Sequence, residues 1–391
     1  MKVLLINQYY PPDTSATAKV FEELVLKLLS NGHRVRVLCG RPSYNPADSR
    51  GWRILSKSVE DRVVVERVGS SGIGRQWMWG RVADYLTFAL LAGVRVLLGG
   101  RRPDVVVAGS DPPFSVWVAL LAARGRPVVY CLQDLHPEFA LVSGMIRPGL
   151  LTRIWEMIHR SGLRRSSLVV CLGETMAKRL QAKGVPGERI VVAPLGAPTA
   201  SGSVDAALVE DLRSGSKFLC VHAGNLGGAG AWETLAQASK LLADDTKFLF
   251  IGEGFNSGLI RRSGIQLLPF RTESELASVM AAGDLQVVTL RPGMEGLSVP
   301  SKLYTVLAHG RPVLAVAPNE SEVSQIVRQW GCGLVADPSD PGDVASKINW
   351  ARENPNGLAE MSKRALKTAR HYTREGNLEQ LARLIEEQAG A

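Results

Sequence analysis

A chain of 391 residues, 46% hydrophobic and 21% charged, is long enough for more than one core and too apolar to be disordered. Its five cysteines, odd in number and without a Cys-x-x-Cys pair, speak against a disulfide framework or a thiolate metal site and for buried thiols in a reducing compartment. A formal charge of +9 favours an anionic partner, a phosphorylated substrate or a phospholipid; nucleic acid is not expected, because no recognised nucleic-acid signature accompanies the charge.

In chain order, "MKVLLINQYYPP" has too short an apolar run for a signal peptide and reads as a first buried strand. Short β-branched runs predict further strands at Val35–Cys39, Val63–Val68, Val105–Ala108, Val128–Leu132, Leu168–Leu172 and Ile190–Ala193. Most are apolar without strict alternation, as in parallel sheets covered on both faces. Phe21, Leu24, Val25 and Leu28 mark one face of an intervening helix, with Gly32 as its stop. The longest uncharged apolar run, Tyr85 to Val94, falls short of the ~20 residues of a spanning helix. A cytoplasmic protein that does not cross a membrane is therefore expected. Near Gly196 the rhythm pauses in a small, polar linker. It restarts with predicted strands at Phe218–Ala223, Phe248–Gly252, Gln266–Phe270, Leu285–Leu290, Val313–Val316 and Gly333–Ala336. The fold class is therefore α/β, with two Rossmann-like parallel-sheet domains facing a cleft. The expected boundaries are 1–197, 198–373 and a terminal helix over 374–391.

The loops after the strands carry the candidate chemistry. "NQYYPPDTSATA" contains no glycine, which argues against a nicotinamide-binding loop. Either Asp13 or Ser15 simply caps the next helix, or the loop of Asp13, Thr14, Ser15 and Ala16 faces a substrate. "HAGNLGGAGAWETL" sets Gly224, Gly227, Gly228 and Gly230 between strand and helix. Such a loop cradles phosphate or makes a tight turn; Asn225, Gly227 and Gly228 are its candidate ligand contacts. In "LPFRTESEL", Arg271 is a nucleotide contact or a solvated side chain, and Thr272–Glu275 resembles a capping box. "SVPSKLY" places Pro300 in a first helical turn. The amides of Val299, Ser301 and Lys302, next to Ser298 and the Lys302 charge, then suit a diphosphate. They would stabilise a leaving nucleoside diphosphate without a metal, and no Asp-x-Asp pair offers metal ligands. "CLQDLHPE" brings Asp134, His136 and Glu138 to a strand end; a histidine there could orient a hydroxyl or move a proton, or be structural. "GRQWMWGR", Gly74 to Arg81, followed by an amphipathic segment over Val82–Leu98, suits contact with an anionic membrane surface or is a core helix with a hydrophobic loop.

The stretches "QYYPPDTSATA", "CLQDLHPE", "HAGNLGG", "RPGMEGLSVPSKLYTVLAHGRPVLAV" and "NESEVSQIVRQWGCGLV" together resemble the family 4 retaining glycosyltransferases of the GT-B fold. The likeness is greatest to the bacterial capsule, O-antigen and colanic-acid subgroup. The resemblance implies a nucleoside-diphosphate sugar as donor in the C-terminal domain, with UDP favoured over GDP and no metal cofactor. It implies a polyprenyl-diphosphate-linked saccharide as acceptor in the N-terminal domain, at the inner membrane face. It also implies a terminal helix that crosses back onto the N-terminal domain. His136, Glu295 and Lys302 are then the catalytic candidates. The family's two spaced glutamates align with Leu297 and Thr305, so both carboxylates are absent there. Glu295 lies close enough to stand in for the first, and Thr305 takes the place of the ribose contact. A nucleotide-sugar epimerase of the same fold, or a non-catalytic nucleotide-sugar-binding protein, are the alternatives.

Overall fold

A computed structural model describes residues 1–13, 15–42, 54–60, 63–71, 78–99, 102–200 and 202–390. The chain forms two compact units, one of Met1–Leu141, Arg147–Pro194 and Asn377–Ala391, the other of Val142–Ile146 and Leu195–Gly376.

The first unit is built on β1 (Lys2–Ile6), β2 (Arg34–Gly40), β3 (Leu55–Glu60), β4 (Val63–Val68), β5 (Val105–Gly109), β6 (Val128–Cys131), β7 (Leu168–Cys171) and β8 (Ile190–Val192). Its helices are α1 (Ala16–Ser30), α2 (Met78–Leu97), α3 (Ser115–Ala123), α4 (Glu138–Val142), α5 (Leu150–Arg165) and α6 (Glu174–Ala182). The sheet order is β3-β4-β2-β1-β5-β6-β7-β8. β1 is central because Val3 to Ile6 are apolar without a break and bury on both faces. Its register sets Leu5 beside Val37 on one side and Val107 on the other. The expected seven strands all form. They are parallel as expected; the sheet adds one strand that was not expected, β3, which pairs antiparallel with β4. β3 escaped the pattern because an edge strand needs no continuous apolar run: Leu55 and Val59 are exposed.

The second unit carries β9 (Phe218–Ala223), β10 (Thr246–Ile251), β11 (Gln266–Leu268), β12 (Leu285–Thr289), β13 (Val313–Val316) and β14 (Gly333–Ala336). They run in the order β11-β10-β9-β12-β13-β14, all parallel. Its helices are α7 (Ala206–Arg213), α8 (Trp232–Ala238), α9 (Ser257–Arg262), α10 (Leu276–Ala282), α11 (Lys302–Ala308), α12 (Glu322–Trp330), α13 (Pro341–Glu353) and α14 (Pro355–His371). Two cores, one on each face, hold this sheet. Val221, Val288, Leu303 and Leu307 belong to one; Cys220, Phe250, Trp232 and Val287 belong to the other.

The last helix, α15 (Arg374–Gly390), returns to the first unit. Leu381, Ala382 and Ile385 bury in the same cluster as Leu5, Phe21, Leu24 and Val37. Glu386 accepts from Asn31 Nδ2 at 2.9 Å and lies 2.8 Å from His33 Nε2. Each fully buried Leu or Ile there contributes about 1.5–3 kcal/mol, so the end of the chain is part of the first unit's core.

In each sheet the strand order reverses once, between β1 and β5 and between β9 and β12. Open α/β sheets bind ligands beyond the carboxyl ends of the strands at that reversal.

Candidate functional site

At the reversal in the second unit, β9 runs into Gly224, whose φ of 142° lies in a region that favours glycine. Its amide donates to the Ile251 carbonyl at 2.8 Å. A Cβ there would stand 1.9 Å from Lys302 Cε, because the lysine side chain lies across the glycine. A Cβ on Gly252, φ 144°, would meet the Gly224 carbonyl oxygen at 2.1 Å. Both glycines are therefore demanded by close approach.

The rest of the loop is tied from several sides. Gly227 O accepts from Trp232 Nε1 at 2.6 Å and Asn256 Nδ2 at 2.9 Å. The Ala231 amide donates to Thr289 Oγ1 at 3.0 Å, and the Arg291 amide to Ala229 O at 2.7 Å. Gly228 fits against Ser143, 2.9 Å from where its Cβ would be. Asn225 is exposed. A loop fixed this way presents backbone without reorganising, the property an anion cradle needs.

Lys302 opens α11, with Ser301 at the N-cap and no side-chain cap. The expected helical turn at Pro300 is corrected: Pro300 precedes the helix. Its carbonyl accepts from Leu303 N, and that of Ser301 from Tyr304 N, both at 3.2 Å. The amides of Ser301 and Lys302 find no protein acceptor among the described residues. Val299 is buried and Ser298 half-buried just before them. Lys302 itself is in no ion pair among the described residues, and burial pushes its ammonium down to about 8. A buried cation without a carboxylate is costly unless a ligand supplies the anion.

His222, on β9, lies fully buried beside this lysine. Its Nδ1 sits 3.0 Å from the Val287 carbonyl, which places the proton on Nδ1. Its Nε2 is buried without a partner. Burial first, then the Lys302 charge, hold it neutral with a value of about 3. The sequence reading missed His222. Its only signal was a titratable residue at the end of an apolar strand.

Leu297 is 1% exposed and packs as a core side chain. Glu295 and Thr305 are half-buried, and the Thr305 carbonyl accepts from His309 Nδ1 at 2.9 Å. Arg271 Nη1 pairs with Glu275 Oε1 at 3.3 Å. The expected capping box is present: Thr272 N and Oγ1 donate to Glu275 Oε2 at 2.9 and 2.7 Å. Those two bonds, and Arg271 after them, hold the Glu275 carboxyl below its ordinary value.

In the first unit, Ser15 is the N-cap of α1 and accepts from Ala18 N at 3.1 Å. Asp13 is buried just ahead of it. Thr14 lies outside the described residues, as does the side chain of Ala16, the first residue of α1. Asp134 is half-buried after β6. His136 stacks on Trp155 with ring centroids 5.6 Å apart and meets Phe139 edge-on. Burial holds it neutral at about 4, and its Nδ1 has no partner. Glu138 pairs with Lys183, which also meets Glu156 at 2.5 Å. The sequence reading passed over Asn7 and Gln8, two buried polar side chains directly after β1. Asn7 Oδ1 would touch a Cβ on Gly109 at 2.2 Å, and the Gln8 amide donates to Asp111 O at 2.7 Å. Of the Gly74–Arg81 stretch, residues to Trp77 and the side chains of Met78, Trp79 and Arg81 lie outside the described residues. Among the described residues no group of three or more His, Cys, Asp or Glu is placed to hold a metal, and no helix is long and apolar enough to cross a membrane.

Two doubly wound parallel-sheet units in one chain, the second with a fixed glycine loop at its strand reversal, are the architecture of the GT-B glycosyltransferases. Solved structures of that kind share the fold. HepE of Anabaena with UDP-glucose is 18% identical with a TM-score of 0.72, over 99% of this chain and 100% of that one. WaaG, a glycosyltransferase involved in lipopolysaccharide biosynthesis, is 15% identical with a TM-score of 0.68, over 98% and 99%. Residues 15–196 match the glycosyl transferase 4-like domain, and 217–354 match the glycosyl transferases group 1 domain. WbjE of Pseudomonas aeruginosa, a glycosyltransferase by its name, is 28% identical over 67% of this chain and 69% of its own length. WcaI of Escherichia coli K12, named for colanic acid biosynthesis, is 24% identical over 90% and 92%. The chain belongs to the family 4 glycosyltransferases and is an enzyme of that class.

Proposed function

We propose that the chain is a retaining glycosyltransferase that moves a sugar from a nucleoside-diphosphate donor, UDP before GDP, to a polyprenyl-diphosphate-linked saccharide in cell-surface polysaccharide synthesis. The observation that carries this is Lys302, an unpaired, half-buried ammonium laid across Gly224 where the strand order reverses. The diphosphate would sit on that ammonium, on the amides of Ser301 and Lys302 and on the Asn225–Gly228 backbone. These groups stabilise the charge that grows on the leaving phosphate, with no metal required. In the first unit, Asp13, Asp134 and His136 would contact the acceptor or the transferred sugar. His136 acts there as a neutral hydrogen-bonding group, since burial keeps it uncharged. With Leu297 and Thr305 in place of carboxylates, Glu295 would take the sugar hydroxyl and Arg271 would lie near the nucleotide. HepE binding UDP-glucose supports the donor class.

A lipid-linked acceptor calls for work at a membrane surface on the cytoplasmic side. α5 supports that setting: Leu150, Leu151 and Met157 are 73, 78 and 64% exposed, with the exposed Arg153, Arg160 and Arg164 beside them. An apolar ridge edged by arginines suits an anionic lipid interface. The test is transfer from UDP-sugars to a polyprenyl-diphosphate saccharide, with the product anomer read by NMR. Inversion at the anomeric carbon refutes retention. Interconversion of free sugar nucleotides without acceptor selects an epimerase, and nucleotide binding without turnover selects a non-catalytic role.

A further inference from the structure

Strands of a parallel sheet buried on both faces read as continuous apolar runs. β2 instead begins Arg-Val-Arg-Val, Arg34 to Val37. Val35 and Val37 enter the core packed on α1 and α15, so the arginines project from the opposite face. There the register sets Lys2 beside Arg34, Leu4 beside Arg36, and Lys57 across from Glu66. A cavity of about 480 Å³ opens on this face, lined by Lys2, Arg34, Arg36, Lys57 and Arg95 around Glu66.

The one carboxylate among the described lining residues is already committed. Glu66 is 3% exposed and accepts from Arg95 Nη2 at 2.8 Å, with Arg36 Nη1 at 4.0 Å. Lys2, Arg34 and Lys57 put no side chain in an ion pair among the described residues. Arg95 Nε is buried with no partner. Burial first, with Arg95 adding to it against the pull of Glu66, holds Arg36 below its ordinary value. Like charges at neighbouring register positions raise the free energy of a sheet, and among the described residues lining the cavity Glu66 alone offsets five cations. An anion with several oxygens would satisfy these forked donors together.

We infer that this cavity is a binding site for a phosphate-bearing anion. It lies in the first unit, on a sheet face, and is distinct from the Lys302 site in the second; the inference does not rest on the donor assignment. Two sources share the chemistry: a soluble di- or oligophosphate, and the headgroup of an anionic phospholipid. α2, which supplies Arg95, also exposes Val94 and Leu97, and the exposed Leu98 follows it, an apolar edge on which acyl chains could rest.

The experiment uses the full chain, titrated with pyrophosphate and tripolyphosphate by calorimetry, and sedimented with vesicles of phosphatidylcholine with and without phosphatidic acid. Arg34→Ala/Lys57→Ala removes two exposed, unpaired cations and should leave the melting temperature unchanged or raised. Measured in the Lys302→Ala background, where the second unit's diphosphate site no longer contributes, its affinity for the ligand that binds should fall about 30-fold. Loss of oligophosphate binding identifies a soluble ligand; loss of vesicle binding alone identifies a headgroup. Binding by the double variant as tight as by the unchanged chain overturns the inference. So does a failure of the unchanged chain to bind any of the three probes, or binding indifferent to salt between 50 and 200 mM.

Discussion

Lys302→Met tests the central assignment, because it should improve the unliganded protein while damaging the liganded one. Burial lowers the ammonium from 10.5 to about 8, which corresponds to about 3 kcal/mol against the charged form. The side chain keeps some solvent contact, so about half of that is expected in a stability measurement. Methionine keeps the length and removes the charge; the second unit should melt a few degrees higher without nucleotide. The pH dependence follows from the sign of the shift. Below about 8 the lysine is charged in both states and the full cost applies. Between about 8 and 10.5 the folded protein releases its proton first, the unfolded chain holds more protons, and stability rises with pH. That rise should be present in the unchanged chain and absent from Lys302→Met. The assay is differential scanning fluorimetry from pH 7 to 10, with and without UDP. The UDP-induced increase in melting temperature should largely vanish in the variant. A variant that melts lower without nucleotide, or that keeps both the pH rise and the UDP response, would refute the reasoning.

Gly224→Ala would set a methyl 1.9 Å from Lys302 Cε at a φ of 142°; nucleotide affinity by calorimetry should fall at least about tenfold as the lysine is displaced. His136, His222 and His159, the last buried on α5 with its Nε2 3.1 Å from the Tyr130 hydroxyl, are held neutral at about 4, 3 and 3, in each case by burial first. The unfolded chain binds protons near 6.5, so stability should decline as pH drops from about 6.5 toward 3. For the same reason a transfer-rate profile should show no limb near 6.5 that His136→Gln removes. Ile385→Ala empties a fully buried site and should cost about 2–4 kcal/mol in urea unfolding, with β1 and α1 losing hydrogen-exchange protection although they lie at the other end of the chain.

Ser15 and Thr272 were legible as caps, since capping is decided within four residues of chain. The buried strands were legible because a strand covered on both faces must be apolar throughout. β3 was not, because an edge strand exposed on one side can carry almost any residue. Leu297 and Thr305 could be seen to lack carboxylates, but not what replaces them.

The sequence alone determined the two α/β repeats and the glycine-rich turn before α8, because hydrophobic period and backbone freedom are local properties. Only the tertiary structure decided that Lys302 crosses Gly224 and stands beside the buried His222. It likewise decided that Arg34, Arg36, Lys57 and Arg95 gather on one sheet face. Those encounters join residues dozens of positions apart, and burial and charge at such a junction exist only once the strands have been ordered.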